Sequence, residues 1–140
     1  HRADVKTPSR VIEFQHSSIS QEDIADRESF YRNMIWVIDA KKFCLVTKRK
    51  MLMQIGGEKV FLDSLEPSQP PSDGEYTSFR WKHPRKSWWK SVKDKYFDMG
   101  EGWLLHIQNI YNEVPCGGWG HWVSRESFKQ KLNNYDPFDF

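Results

Sequence analysis

The chain has 140 residues and a formal net charge of only +2, so it has room for one domain and would attract a polyanion only weakly as a whole. Hydrophobic residues make up 38% and aromatic residues 15% of the sequence, which supports a packed core and excludes wholesale disorder. No apolar stretch reaches the length of a membrane span, and we expect no signal peptide.

The chain begins with two predicted strands, at residues 2–5 and 11–15, joined by the turn-rich residues 6–10. Because His1 already stands at the edge of a predicted strand, we expect the chain to be an N-terminally truncated piece of a longer protein.

A helix and a third strand are predicted next. Ser20, followed three residues later by Asp23, is typical of a helix N-terminus, and the helix is predicted to run to about Asn33. The apolar residues 35–38 directly after it predict a buried strand, which suits a parallel neighbour.

The middle of the chain has weaker patterns. Residues 47–54 are of uncertain type and end at a Gly-Gly pair, and residues 65–74 have the Pro- and Ser-rich composition of a linker. We therefore divide the chain into a core at residues 1–58, a linker at 59–74 and a basic, aromatic-rich accessory region at 75–140.

Strands are predicted in the accessory region at residues 96–99 and 103–107. Gly117, Gly118 and Gly120 are expected to form a tight turn before a last helix, which Ser124 caps.

The first two strands carry the candidate chemistry. If they pair as a simple hairpin, opposed residues sum to seventeen, so Asp4 faces Glu13 and Arg2 faces Gln15. These four side chains then share one face. The other face is apolar, with Val5, Ile12 and Phe14 among its members, and is expected to pack on the helix that follows.

Two opposed carboxylates lie roughly 5 Å apart at their Cβ atoms and destabilise a sheet. At an effective dielectric of about 20 the repulsion is about 3 kcal/mol, and a shared proton, an arginine or a divalent cation would offset it. Hard oxygen ligands suit Mg2+ or Mn2+, which would polarise a phosphate and activate water. By spacing alone, however, ordinary surface roles for Asp4 and Glu13 are favoured.

Several motifs also resemble a known family. They are residues 1–5 (His-Arg-Ala-Asp-Val), 11–17 (Val-Ile-Glu-Phe-Gln-His-Ser) and 34–37 (Met-Ile-Trp-Val), together with Arg27 and the Phe30-Tyr31 pair. They closely resemble the nuclease domain of the CoiA-like competence proteins, in the PD-(D/E)xK, or restriction-endonuclease-like, superfamily. The resemblance is strong over residues 1–39 and looser through residues 79–83, the strand of Asp98 and residues 118–120.

The resemblance implies a metal site formed by the acid of an R-A-D strand and the E-x-Q of the next strand. It assigns Asp4 and Glu13 as Mg2+ or Mn2+ ligands and Gln15 as the residue that replaces the usual lysine. Being neutral, Gln15 can orient water or phosphate but cannot act as a general base. The first helix and strand of the superfamily core would lie upstream of His1.

Basic residues interleave with aromatic ones between residues 79 and 96. This pattern suits nucleic acid, with cations on phosphates and rings on bases, or equally a solvated basic face whose tryptophans belong to the core. With Arg2 and Arg27, the candidate nucleic-acid-binding residues are Arg80, Lys82, Arg85, Lys86, Trp88 and Lys90.

Two further residues have weaker patterns. Arg27 suits either a phosphate near the metal face or an ion pair with Asp4 or Glu13, and His16 suits a structural role better than proton transfer.

Cysteine usage favours a reduced, cytoplasmic protein. A zinc site built from Cys116 and the histidines matches no standard spacing.

The sequence thus predicts an α/β restriction-endonuclease-like fold with a C-terminal accessory α+β region. The predicted function is metal-dependent DNA hydrolysis or processing, with single-stranded DNA among the options for the partner. The alternatives are a non-catalytic nucleic-acid-binding module that uses residues 79–96 and, third, a structural or protein-interaction domain.

Overall fold

A computed structural model describes residues 5–6, 10–46, 50–63, 71–81, 85–111 and 117–133. These residues form an α/β arrangement of ten strands, two α-helices and one short 3-10 helix. In chain order the elements are β1 Val5–Lys6, β2 Val11–Gln15, α1 Gln21–Phe30, β3 Met34–Asp39, β4 Cys44–Val46, β5 Lys50–Ile55, β6 Glu58–Asp63, β7 Tyr76–Trp81, the 3-10 helix Lys86–Trp88, β8 Asp94–Gly100, β9 Trp103–Tyr111, β10 Gly117–Ser124 and α2 Arg125–Asn133.

The hairpin register predicted from the sequence is confirmed where it is described. Val5 pairs with Ile12 and Lys6 with Val11, so opposed residues sum to seventeen. Arg2 and Asp4 lie outside the described residues.

Helix α1 begins as predicted. The hydroxyl of Ser20 accepts a 3.1 Å hydrogen bond from the backbone N–H of Asp23, which satisfies one of the free amides of the first turn. The helix ends at Phe30, about three residues before the predicted end, because Tyr31 takes an extended backbone conformation. The apolar segment after it forms β3, which is buried and pairs in parallel with β2, as expected.

Eight strands form one mixed sheet in the order β1-β2-β3-β8-β9-β10-β7-β4. Strands β2, β3 and β8 are parallel to one another, and the remaining pairs are antiparallel. The other two described strands, β5 and β6, form a separate hairpin.

The sheet must curl, since β3 and β4 are joined by a short link although five strand spacings separate them in the order. In a flat sheet they would lie roughly 24 Å apart. The link can span at most about 17 Å even when fully extended, and it is in fact a turn, because Phe43 and Cys44 both donate backbone hydrogen bonds to Ala40. The curl brings Phe43 onto Trp81 of β7, with ring centroids 5.5 Å apart.

One helix covers each face of the sheet. Ile24 of α1 belongs to the larger core cluster, which includes Val11 and Trp36. Phe128 of α2 belongs to the second cluster, which includes Ile12 and Val37. The helices α1 and α2 thus bury the two faces of the central strands.

The expected packing of the first helix is wrong. Helix α1 does not cover the apolar face of Ile12 and Phe14; it covers the opposite face, where Arg27 reaches Glu13 and Gln15. Alternation along a strand separates two faces, but the hand of the β2–α1–β3 crossover decides which of them the helix covers.

The sheet includes strands from both sides of the predicted linker. Strands β7 to β10, from the predicted accessory region 75–140, lie in the same sheet as β2 and β3. Strand β6, at residues 58–63, begins at the last residue of the predicted core and extends into the predicted linker 59–74. Gly56 and Gly57 both have positive φ angles, which a two-residue hairpin turn of this kind requires.

The glycines before the last helix form strand β10 rather than a tight turn. A Cβ on Gly118 would lie 2.0 Å from the carbonyl oxygen of Asn109, and one on Gly120 would lie 2.3 Å from that of His106. Their function is therefore close approach between neighbouring strands. The hydroxyl of Ser124 accepts a 3.2 Å hydrogen bond from the backbone N–H of Ser127, which confirms the predicted cap of α2.

In the part of the chain that the structure describes, no helix is both long and apolar enough to cross a membrane.

Candidate functional site

Glu13 lies in the middle of β2 and points toward α1. Its side chain is only 1% exposed, and Nη1 of Arg27 lies 4.0 Å from its Oε2. Burial of a carboxylate is costly unless a positive charge compensates it. Arg27 supplies part of that compensation, so of the two roles considered for Arg27 the structure supports ion pairing with Glu13.

Gln15 connects this buried pair to the end of β2. Its Oε1 accepts a 3.3 Å hydrogen bond from Nη1 of Arg27, and its Nε2 donates a 2.8 Å bond to the backbone carbonyl of Ser17. The side-chain amide is therefore held at both ends. Glu13 and Gln15 share one face of β2, as the alternation of the strand predicted.

A pocket of about 290 Å³ opens at the carboxyl end of β2 and β3. Ligand sites of parallel sheets are characteristically found at this edge. The pocket is lined by residues 15–19, 38–39, 42–43 and 85–88. Gln15 thus contacts Arg27, the ion-pair partner of Glu13, and also lines the pocket.

The charged residues of the pocket lining are mainly basic, with Lys42, Arg85 and Lys86 against the single carboxylate of Asp39. Partial burial raises the pKa of Asp39, but hydrogen bonds from the backbone and ammonium of Lys41, with the nearby charges of Lys41 and His16, outweigh burial and lower the pKa overall. Asp39 thus stays ionised, and Lys41 neutralises it from 3.3 Å.

Lys41 also stabilises the neighbouring strand. Its Nζ lies 3.9 Å from Oδ2 of Asp98, which is paired with Asp39 across β3 and β8. Oδ1 of Asp98 accepts a 2.9 Å hydrogen bond from the backbone N–H of Gly100. Asp98 therefore caps a turn, and Lys41 bridges the carboxylates of Asp39 and Asp98.

Arg85 is the best-positioned cation of the pocket. Its Nη1 donates a 2.8 Å hydrogen bond to the hydroxyl of Ser18, and its guanidinium lies 4.8 Å from the ring centroid of Phe43. Its Nε is buried and has no hydrogen-bond partner among the described residues. Contacts with two separate segments hold the guanidinium plane in place.

Glu28 of α1 fastens the segment that follows the pocket wall. Its carboxylate accepts hydrogen bonds from the Trp36 indole (2.9 Å), the Ser91 hydroxyl (2.5 Å) and the backbone N–H groups of Val92 (3.1 Å) and Lys93 (3.3 Å). The ammonium of Lys95 lies nearby: burial lowers its pKa, and the charge of Glu28 partly counteracts this. Glu28 therefore anchors residues 91–93 to α1.

Those of the predicted nucleic-acid-binding residues that the structure describes do not form one surface. Arg85 and Lys86 line the pocket, and Lys90 is exposed just beyond it. Arg80 is exposed on β7, next to the buried Phe79, and so points to the opposite face of the sheet. Arg2 and Lys82 lie outside the described residues.

Trp88 is a core residue rather than an exposed platform for a base. It is only 4% exposed, and its ring packs edge-to-face on Trp36 with centroids 5.0 Å apart. Only its margin contributes to the pocket lining. For this tryptophan the core alternative raised by the sequence is the correct one.

Neither the catalytic nor the metal prediction is complete within the described residues, since Asp4 lies outside them. No group of three His, Cys, Asp or Glu side chains suited to a metal ion occurs in the described ranges. His106 and His121 pair across β9 and β10, while His83 and Cys116 lie outside the description.

Four residues of this region were not predicted from the sequence: Ser18, Glu28, Asp39 and Lys42. Asp39 carried a signal, because it directly follows a predicted buried strand whose carboxyl end is a common place for ligands. The other three are a serine, a glutamate and a lysine with no distinguishing local pattern.

A family comparison agrees with the resemblance noted in the sequence. Residues 1–66 match the model of the family described as "Competence protein CoiA, nuclease-like domain". The comparison with curated proteins and the comparison with solved structures found no match. The matched segment contains β2, α1 and β3, and therefore Glu13, Gln15 and Arg27.

Proposed function

We propose, from the premise that residues 1–66 belong to the CoiA nuclease-like domain family, that this chain is a metal-dependent nuclease with a restriction-endonuclease-like core that hydrolyses DNA phosphodiester bonds. The observation that carries the proposal is the position of Gln15. This residue shares one guanidinium with the buried Glu13 and also lines a basic pocket at the end of the parallel strands.

The donor groups fit a hard divalent cation in kind. Glu13 offers carboxylate oxygens and Gln15 an amide oxygen, and Mg2+ or Mn2+ prefers oxygen ligands. In number they fall short, because the described residues contribute one carboxylate here, and the proposal requires Asp4 as the second ligand. When bound, the cation would polarise the scissile phosphate and lower the pKa of the attacking water.

The residues of the chain have separate tasks in this mechanism. Glu13 would provide the negative charge that holds the cation. While no cation is bound, Arg27 keeps the carboxylate of Glu13 oriented. Gln15 donates or accepts a hydrogen bond that orients water or phosphate, and it cannot remove a proton because its amide is neutral. Arg85 and Lys86 neutralise phosphate oxygens at the pocket.

The test is cleavage of supercoiled plasmid and of circular single-stranded DNA by the chain with Mg2+, with Mn2+ or with EDTA. We expect metal-dependent cleavage that falls by about 100-fold or more in Glu13→Gln. Asp26→Asn changes an exposed acid on α1, the helix that packs over Glu13, and should leave cleavage unchanged. Cleavage that persists in EDTA or in folded Glu13→Gln protein would contradict the proposal.

A second candidate function is supported by the burial of Glu13. Its carboxylate is 1% exposed and already compensated by Arg27, which suits a structural acid in a non-catalytic nucleic-acid-binding module. Such a module would bind DNA without metal and with a strong dependence on salt. Its binding would survive Glu13→Gln and would weaken in Lys86→Gln, whereas the nuclease would lose cleavage in Glu13→Gln.

A further inference from the structure

The size of the pocket limits what it can hold. Its volume of about 290 Å³ lies at the lower end of the range of small-molecule sites and gives room for about one nucleotide. A duplex presents its phosphates on a broad convex surface, so only isolated phosphates would reach the rim. The end of a single strand, in contrast, can enter a concave site of this size.

The charges of the pocket favour a doubly charged group. Lys42, Arg85 and Lys86 face the space, while Asp39, the acid in the lining, shares the ammonium of Lys41 with Asp98. A phosphate monoester carries a charge of about −1.5 to −2 at neutral pH, against −1 for a phosphodiester. Three cations therefore discriminate in favour of a terminal phosphate.

The donors of Arg85 are arranged for such a group. A guanidinium has five N–H donors in a fixed plane, and Ser18 accepts from only one nitrogen, Nη1. The buried Nε has no partner in the described part of the chain, so the contacts to a phosphate would come from the two terminal nitrogens of the guanidinium. Planar, two-point recognition of phosphate is the typical use of arginine.

The remainder of the lining suits the nucleoside part. Ile19, Ile38 and Phe43 provide apolar surface, and the hydroxyls of Ser17 and Ser87 provide polar contacts. Along β2, Glu13 lies two residues from the pocket residue Gln15, a separation of about 7 Å. This separation is comparable with one step of an extended nucleic-acid strand.

We propose that this pocket binds the terminal phosphate of a single nucleic-acid strand, with Arg85 and Lys42 as the principal phosphate contacts. Binding of the end does not depend on catalysis. The consequence, that the neighbouring phosphodiester is brought toward Glu13 and the chain acts from strand ends, rests on the proposed nuclease function.

The experiment measures binding of short single-stranded DNA in EDTA by fluorescence anisotropy. Three otherwise identical strands carry a 5′-phosphate, a 3′-phosphate or hydroxyls at both ends. We expect one phosphorylated strand to bind about 10-fold more tightly than the hydroxyl strand, and the comparison of the two phosphorylated strands identifies the recognised end. Arg85→Gln and Lys42→Gln should each reduce that preference to about 2-fold or less.

The controls separate this proposal from the catalytic one. Lys90→Gln removes an exposed cation near the pocket but outside its lining and should keep the preference. Glu13→Gln should also keep it, even if all cleavage is lost. Equal affinities for the three strands, or a preference that survives Lys42→Gln and Arg85→Gln in folded proteins, would overturn the proposal.

Discussion

Replacement of Glu28 by alanine should destabilise the fold far more than its place on a helix suggests. The substitution leaves the indole N–H of Trp36, the hydroxyl of Ser91 and two backbone N–H groups, at Val92 and Lys93, without their acceptor. It also removes the negative charge beside the largely buried ammonium of Lys95.

The size of the effect follows from these losses. Each buried donor left without a partner costs about 1–3 kcal/mol, and removal of one partner of a buried charge pair typically costs about 3–5 kcal/mol. Because only the hydrogen bond from the Trp36 indole is fully buried and the other three are partly buried, we expect a total of about 3–5 kcal/mol for Glu28→Ala. For a chain of this length the melting temperature would then fall by about 9–15 °C.

The assay is urea unfolding followed by tryptophan fluorescence, with hydrogen exchange at the amides of residues 92 and 93. Both amides should exchange faster in Glu28→Ala. The matched control is Asp26→Ala on the exposed face of the same helix, which should change the stability by less than about 0.5 kcal/mol. A loss below about 1 kcal/mol for Glu28→Ala, or unchanged exchange at the two amides, would refute the anchoring role.

Three further predictions concern other parts of the fold. Burial raises the pKa of the Cys44 thiol to about 12, so in a Cys116→Ser background iodoacetamide at pH 8 should modify it only after unfolding; rapid modification of the native chain would contradict this. Gly118→Ala should cost about 2–4 kcal/mol in urea unfolding, because the added Cβ would lie 2.0 Å from the carbonyl oxygen of Asn109; a stability equal to that of the parent would show that β9 and β10 can separate freely. Hydrogen bonds from the end of β10 lower the pKa of Asp73 below its usual 3.8, so its stabilising contribution should be complete above that value and lost as the pH falls through the lower folded pKa; the melting-temperature difference between parent and Asp73→Asn should shrink below about pH 4 and nowhere above it.

The sequence predicted the parts of the fold that depend on neighbouring residues. The cap at Ser20, the apolar run of β3 and the alternation of β2 each express a local rule, and each is found in the structure. The register of β1 and β2 could also be predicted, because a short link leaves few ways to pair two strands and only one of them separates polar from apolar side chains.

The sheet as a whole could not be predicted in this way. Nothing within Cys44–Val46 indicates that it pairs with β7 across the curl, and nothing within Gly117–Ser124 distinguishes a glycine turn from a strand pressed against its neighbours. Both depend on residues far away in the sequence. The sequence left the two alternatives for Trp88 open for the same reason, since its partner Trp36 lies on β3, far away in the sequence.

The candidate site likewise has one part that local rules predict and one part that depends on distant residues. Alternation along one strand was enough to place Glu13 and Gln15 on one face, but only the family resemblance assigned them a role in the site. The pocket takes its cations from Lys42, which precedes β4, and from Arg85, which follows β7, and these meet because β4 pairs with β7 across the curl, with Cys44 opposite Trp81.

Arg27 and Glu28 show how the two halves of the site depend on one helix. As sequence neighbours of opposite charge they resemble a surface ion pair, but consecutive residues on a helix point about 100° apart and cannot face each other. Arg27 therefore reaches Glu13 and Gln15 on β2, while Glu28 reaches residues 91–93 after the basic pocket wall. A shift of α1 would displace Arg27 from Glu13 and Gln15 and would displace Glu28 from residues 91–93 at the same time. Glu28→Ala should thus weaken recognition of a terminal phosphate although Glu28 does not line the pocket, and a folded Glu28→Ala protein with an unchanged end preference would show that the two halves are independent.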